Sequence, residues 1–273
     1  MAKYSSGRYI RSGSRAIMTV LILILCALLL LFIGAGGKAI AENLLVPLFG
    51  DIKPSITPLP DGYVARHITL PRIDVYTLVL HTLDASDQAS AHADAVRQKG
   101  GAGYILKDNR YRVIAAGYQT AAQARSVANK QSQDYQPDVF LLSSGSISFN
   151  VTCSEETAQT LSDACSLYST LISQMIREAT VLEQGDISQS GVKIEYTRRS
   201  AEAKRMVERL EKVPSGKDDG LITQLLTLYR NADMQFEKIY SKNYEYSLDF
   251  FADIRYNYIE MTVAYCNAIQ NLT

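Results

Sequence analysis

Of the 273 residues, 28 are basic and 28 acidic, but the charge is unevenly placed. Five basic residues lie at or before Lys38 and one acid at or before Glu42, so 23 basic residues face 27 acidic ones beyond that point, and a net charge of about −4 there argues against a nucleic-acid surface. Four cysteines fall short of a disulfide framework: Cys26 lies within an apolar run, leaving Cys153, Cys165 and Cys266 as an odd set. Cys165 sits on an apolar helical stripe and reads as a small core residue rather than half of a bridge to Cys153.

In chain order, residues 1–15 form a basic tail, with Lys3, Arg8, Arg11 and Arg15 and no acid. Residues 16–35 carry no charge and are rich in Leu and Ile, enough as a helix to cross a hydrocarbon core of about 30 Å. The positive-inside bias then holds the tail in the cytoplasm and exports the residues beyond Gly36. Ala39-Ile40-Ala41 also fits a signal-peptidase site, so cleavage after Ala41 is a competing reading. The apolar run is nevertheless longer than a signal core of about 7–15 residues. Residues 36–71 contain Pro47, Pro54, Pro58, Pro60 and Pro71 and read as an extended linker.

Next comes an internal repeat at an offset of 35 residues: Tyr76 aligns with Tyr111, Leu78 with Val113, Gln88 with Gln123, Ala89 with Ala124, Ala93 with Ala128, and Tyr104-Ile105-Leu106 with Val139-Phe140-Leu141. Each copy runs from a β-rich stretch (Val75 to Leu83; Tyr111 to Tyr118) through Ala-rich helix formers to a second apolar stretch. Gly100, Gly101 and Gly103 supply a turn after the first helix, and Asp108-Asn109 a hairpin between the copies. The expected fold is α+β: a four-stranded antiparallel sheet in the ferredoxin-like split βαβ arrangement, both helices on one face and the other face open.

The repeat, together with Gly101-Ala102-Gly103-Tyr104-Ile105-Leu106-Lys107-Asp108 and Tyr111-Arg112-Val113-Ile114-Ala115-Ala116-Gly117-Tyr118, resembles a SPOR (sporulation-related repeat) domain over about residues 73 to 144, within a unit bounded here as 72–152. The resemblance implies a non-enzymatic module, needing no cofactor or metal, that binds septal peptidoglycan along the open sheet face, at glycan strands stripped of their stem peptides. It implies recruitment to a division or sporulation septum of the cell envelope. Alternation puts Thr77, Val79 and His81 on that face with Arg112, Ile114 and Ala116. Arg112 matches a basic residue of glycan-binding members and Thr82 stands where a Ser is common. Val79 replaces a Gln, Arg110 a stacking aromatic and His81 a Gly; Tyr104 and Tyr118 offer replacement rings. The glycan-binding candidates are Arg112, Thr82, Arg110 and Tyr104. An open face carrying Val79, Ile114 and Ala116 is apolar for a surface meeting water and sugar, so the alternative is an interaction scaffold whose covered face binds no glycan.

Residues 153–273 read as a helical hairpin or bundle. Ser154 caps a helix that Gly185 ends, with Leu161, Cys165, Tyr168, Ile172 and Met175 on its apolar stripe. Further helices are expected from about Lys193 to Val213, around Leu221 to Ile239, and from Tyr244 to Ile269. The Arg198, Arg199, Lys204, Arg205, Arg209 and Lys212 cluster, interleaved with acids, reads as a solvated face. Tyr240, Tyr244, Tyr246, Tyr256, Tyr258 and Tyr265 fit either bundle packing or an interface with an envelope partner. No phosphate loop, nucleophile elbow, HExxH or CxxC occurs in the exported region. His81 and His92 lack a third soft ligand for a metal, and adjacent Glu155 and Glu156 diverge too far to act as an acid–base pair.

Overall fold

The computed structural model describes residues 62–131, 136–214 and 219–273. The basic tail, the expected membrane helix at 16–35 and the first part of the linker lie outside them. Among the described residues no helix is long and apolar enough to cross a membrane.

The chain is α+β, with two antiparallel sheets and six helices among the described residues. Strand β1 (Tyr63–Leu70) leads into β2 (Asp74–Leu83), helix α1 (Ser86–Gln98), β3 (Tyr104–Lys107), β4 (Tyr111–Tyr118), α2 (Ala121–Gln131) and β5 (Asp138–Ser143). Strand β6 (Ile147–Ser154) then precedes α3 (Glu155–Gln184), α4 (Gln189–Glu211), α5 (Asp219–Ser241) and α6 (Ser247–Leu272). The two repeat copies become β2-α1-β3 and β4-α2-β5. They form a four-stranded sheet ordered β3-β4-β2-β5, in which the first strand of each copy is central.

The small residues of the repeat explain how the helices seat. Ala89, Ala93, Ala124 and Ala128 are buried, and with Leu78, Val113 and Ala115 most of them form one core layer between sheet and helices. After α1, Gly100 takes φ +81° while its N–H bonds to Arg97 O and that of Gly101 to Val96 O, the paired bonds of a Schellman stop. Gly103 has φ +57°, and a Cβ there would lie 2.4 Å from Ala93 O, so only glycine fits the close approach of turn and helix.

The linker ends earlier than the prolines indicate, because Tyr63–Leu70 is a strand. It pairs with β6 in a separate two-stranded sheet, Ile68 opposite Phe149 and Leu70 opposite Ile147. Ile68 and Leu70 are buried, while His67 bonds to Asn150 and Thr69 to Ser148 on the wet side. This two-stranded sheet packs on α3. β6 therefore does not close the four-stranded sheet.

Four helices stand where the pattern placed them, α3 within its expected caps, while α4 starts four residues before Lys193 and α6 three residues after Tyr244. The Ser154 hydroxyl accepts from Thr157 N–H at the start of α3, and Gly185 in the left-handed region ends it. Cys165 is buried in the bundle, and Cys165 and Cys266 are free thiols. The basic cluster on α4 is mostly solvated, Arg198 pairing with Glu195 and Glu202. Arg199 departs from that expectation: it is 1% exposed and forms a two-point ion pair with Glu178 of α3. Position 199 lies on the α4 stripe of Val192, Tyr196, Ala203, Met206 and Leu210, so the helix turns it inward.

Candidate functional site: the second face of the sheet

The face opposite α1 and α2 is the one expected to be open. Val75, Val79 and Ile114 sit on it, and all three are buried in the same large cluster as Phe250, Tyr258, Ile259 and Met261 of α6. Helix α6 lies across this face, in contact with β3, β4 and β5. β3 pairs with β4 only from Tyr111 to Ile114, so the last residues of β4 run beyond it and turn backbone groups toward an empty edge. Tyr258 fills the gap at Gly117. Its hydroxyl accepts from the Gly117 N–H at 2.8 Å and donates to the Gly117 carbonyl at 3.2 Å. Burial pushes the Tyr258 phenol well above its ordinary range, so it stays a neutral donor. Glycine is required for this approach: a Cβ at Gly117 would lie 2.7 Å from Val75 Cγ1 and 3.1 Å from Tyr258 Cε2. Leu248 does not cover the sheet; it is largely exposed and borders Gly100.

Alternation along β2 breaks in its second half. Val79 pairs with Ile114 and His81 with Val113, leaving Leu80 without a partner in an irregular step. Past that step the faces exchange, as any one-residue shift in a strand demands. His81 therefore lies on the α1 side, stacked on His92 with ring centroids 4.0 Å apart, and not on the face of Val79. Burial, and then the neighbouring His92, hold the His81 imidazole below its ordinary value. Among the described residues no group of three or more His, Cys, Asp or Glu is placed to share a metal ion.

Thr82 lands opposite Arg112, which puts the two on one face. The Arg112 Nε donates to Asp108 Oδ2 at 2.9 Å and its guanidinium lies 4.6 Å from the Phe140 ring centre. Arg110 donates to Asp84 Oδ1 at 2.7 Å and to the Thr82 carbonyl at 3.1 Å. The Asp108 carboxyl, accepting from the Arg110 N–H and from the Arg112 side chain, is held below its usual range. Three of the four candidates thus meet at the β3–β4 hairpin end of the sheet. Arg112 is 23% and Arg110 48% exposed, each already paired with an acid.

No family model, curated protein or solved structure matches this chain.

Tyr104, the fourth candidate, is separate from that corner. It lies opposite Ile114 and its ring packs 5.1 Å from that of Tyr256 on α6, where burial pushes the phenol up to about 12. Tyr118, the other possible replacement ring, is likewise raised to about 12 by burial, with Glu183 adding to the shift. The residues that decide what the face can do are Tyr258, Gly117, Asp84, Asp108 and Phe140, none of which the pattern marked as functional. Asp108 was legible only as a hairpin residue; Tyr258 was one of six tyrosines with no mark of its target.

Proposed function

We propose that the chain is a non-enzymatic protein of the bacterial cell envelope, held in the membrane by the helix at 16–35, with its bulk extracytoplasmic. In this reading its SPOR-like, split βαβ sheet unit and its helical bundle together form an interaction scaffold for an envelope protein. The observation that carries the reading is the seating of α6 on the sheet: Val79 and Ile114 are buried, and Tyr258 occupies the backbone of Gly117. A glycan strand running along the centre of that face would have to displace a helix and re-expose an apolar core.

The test is cosedimentation of the full chain, purified in detergent, with peptidoglycan before and after an amidase removes the stem peptides. The scaffold reading expects no enrichment on denuded strands. Selective enrichment that Arg112→Ala abolishes would instead establish the glycan reading implied by the family resemblance, with localisation to a division or sporulation septum. That second reading is favoured by one observation, the partly exposed corner of Arg112, Thr82 and Arg110. Its ion pairs are exposed enough for a sugar hydroxyl to compete with them.

A further inference from the structure

We propose that β5 is the interface of a two-fold dimer: it pairs antiparallel with β5 of a second copy of this chain, Leu141 opposite Leu141, and continues the sheet across both copies. In the order β3-β4-β2-β5 this strand ends the sheet, so one side of its backbone has no strand beside it among the described residues. Ser144 N–H bonds to Ile73 O, in step with the register that sets Asp74 opposite Ser143. The alternation of an antiparallel ladder then turns the backbone groups of Leu142, Phe140 and Asp138 toward β2, and those of Val139, Leu141 and Ser143 outward. Helix α2 touches β2 and β4 as well as β5, and α6 touches β3 and β4 as well as β5, so both lie back over the sheet rather than along this edge.

The same alternation fixes the register. Two strands bond only where outward-pointing residues stand opposite each other, and a two-fold through Leu141 meets that condition. Leu141 then faces its own copy, and Val139 faces Ser143 of the second copy. On the other side of the sheet Phe140 meets Leu142, so the side-chain pairs across the join are mostly apolar. Val139 N–H donates to its neighbour Asp138 Oδ1 at 2.8 Å, an exposed contact that the new strand replaces.

The character of the edge points to a second copy. Proteins blunt a free edge with shortness, charge or proline. β3 is blunted, having four residues and ending in Lys107. β1 carries Arg66 and His67, and the exposed positions of β6, Ser148, Asn150 and Thr152, are polar. β5 has six residues, no basic residue, no proline, a single acid at its start, and near its middle Leu141, 39% exposed. Self-pairing covers leucine with leucine. It also keeps like charges apart: each Asp138 lands opposite Ser144 of the other copy, near which Arg72 and Asp74 already pair with each other at 2.8 Å. A contact of this symmetry closes at two copies. The dimer involves neither the face under α6 nor the basic corner, so it is independent of whether the sheet binds glycan.

The test is sedimentation velocity of the full chain in detergent from about 1 to 500 µM, because one strand pair is smaller than a stable interface of about 1,200–2,000 Å². A monomer–dimer equilibrium is expected. Leu141→Lys, at an exposed position, sets two like charges opposite each other and should weaken the dimer by about tenfold or more while leaving the melt unchanged. A short bismaleimide should join Leu141→Cys to its copy well above the background from the native cysteines. Ser143→Cys, whose copy lies about 13 Å away along the strand, should stay at background. A monomer at every concentration would overturn the proposal and leave the edge to a strand of another protein. So would a dimer that Leu141→Lys leaves unchanged, or equal cross-linking at positions 141 and 143.

Discussion

Replacing Tyr258 with Phe removes one oxygen and leaves the ring in the apolar cluster it shares with Val75, Val79 and Ile114. What is lost is the partner of two backbone groups. Gly117 N–H and Gly117 C=O both bond to that hydroxyl, in a position where α6 excludes water. A buried group left without a partner costs about 1–3 kcal/mol, so the substitution should destabilise the protein by roughly 2–4 kcal/mol. For a unit of this size that corresponds to a fall in Tm of roughly 5–15 °C. Thermal and urea melts followed by circular dichroism measure the loss, and amide exchange at Gly117 reports whether the seal itself has opened. Tyr246→Phe is the control, because Tyr246 is exposed, and it should leave the melt unchanged. A Tyr258→Phe variant within about 0.5 kcal/mol of the parent, with the Gly117 amide still protected, would refute the idea that this hydroxyl seals the strand edge under α6.

The buried pair of Arg199 and Glu178 predicts strong non-additivity. Glu178→Ala strands a guanidinium in the bundle core and should cost about 3–5 kcal/mol, whereas the double change Arg199→Met with Glu178→Leu should come close to the parent in a urea titration. Additive single effects would contradict the pairing. Asp253 supplies a pH dependence of defined sign. Burial by itself raises its carboxyl, but hydrogen bonds from Lys242, Arg97 and Tyr244 outweigh that and hold it below the ordinary value. A depressed carboxyl stabilises the fold above its unfolded pKa of about 3.9, and that contribution disappears as pH falls through the lower folded value. The stability gap between the parent and Asp253→Asn should therefore stay constant above about pH 5 and close on further acidification. A gap that widened in acid would reverse the assignment.

Local and short-range features were readable before any tertiary contact. The offset of 35 residues announced two β-α-β units because each copy repeats the same alternation and the same small helix residues, and Ala89, Ala93, Ala124 and Ala128 do seat the helices. Ser154 and Gly185 bound α3 because caps and stops are made by side chains and backbone within a few residues of one another. β1 was hidden between Pro60 and Pro71: its partner β6 lies across the whole repeat, and pairing at that separation leaves no local mark. The step at Leu80 was equally invisible, since the residues on both sides go on alternating while the faces exchange.

For the candidate site, the residues themselves named the basic corner, and Arg112, Thr82 and Arg110 do come together where the hairpin end of the sheet leaves them partly exposed. Ala116, expected on the second face, is shifted by the step that skips Ala115 and pairs with Leu78 on the face of α1 and α2. The residues nevertheless gave warning that a face carrying Val79 and Ile114 is too apolar to stay open. Which element covers it was decided only by the tertiary structure. Burial is a property of two surfaces, and nothing within α6 and its N-cap distinguishes Tyr258, which bonds to a strand, from Tyr246, which faces water, until the helix is laid on the sheet. The same holds for Arg199, one basic residue among several on α4, whose character is set by a carboxylate on a different helix.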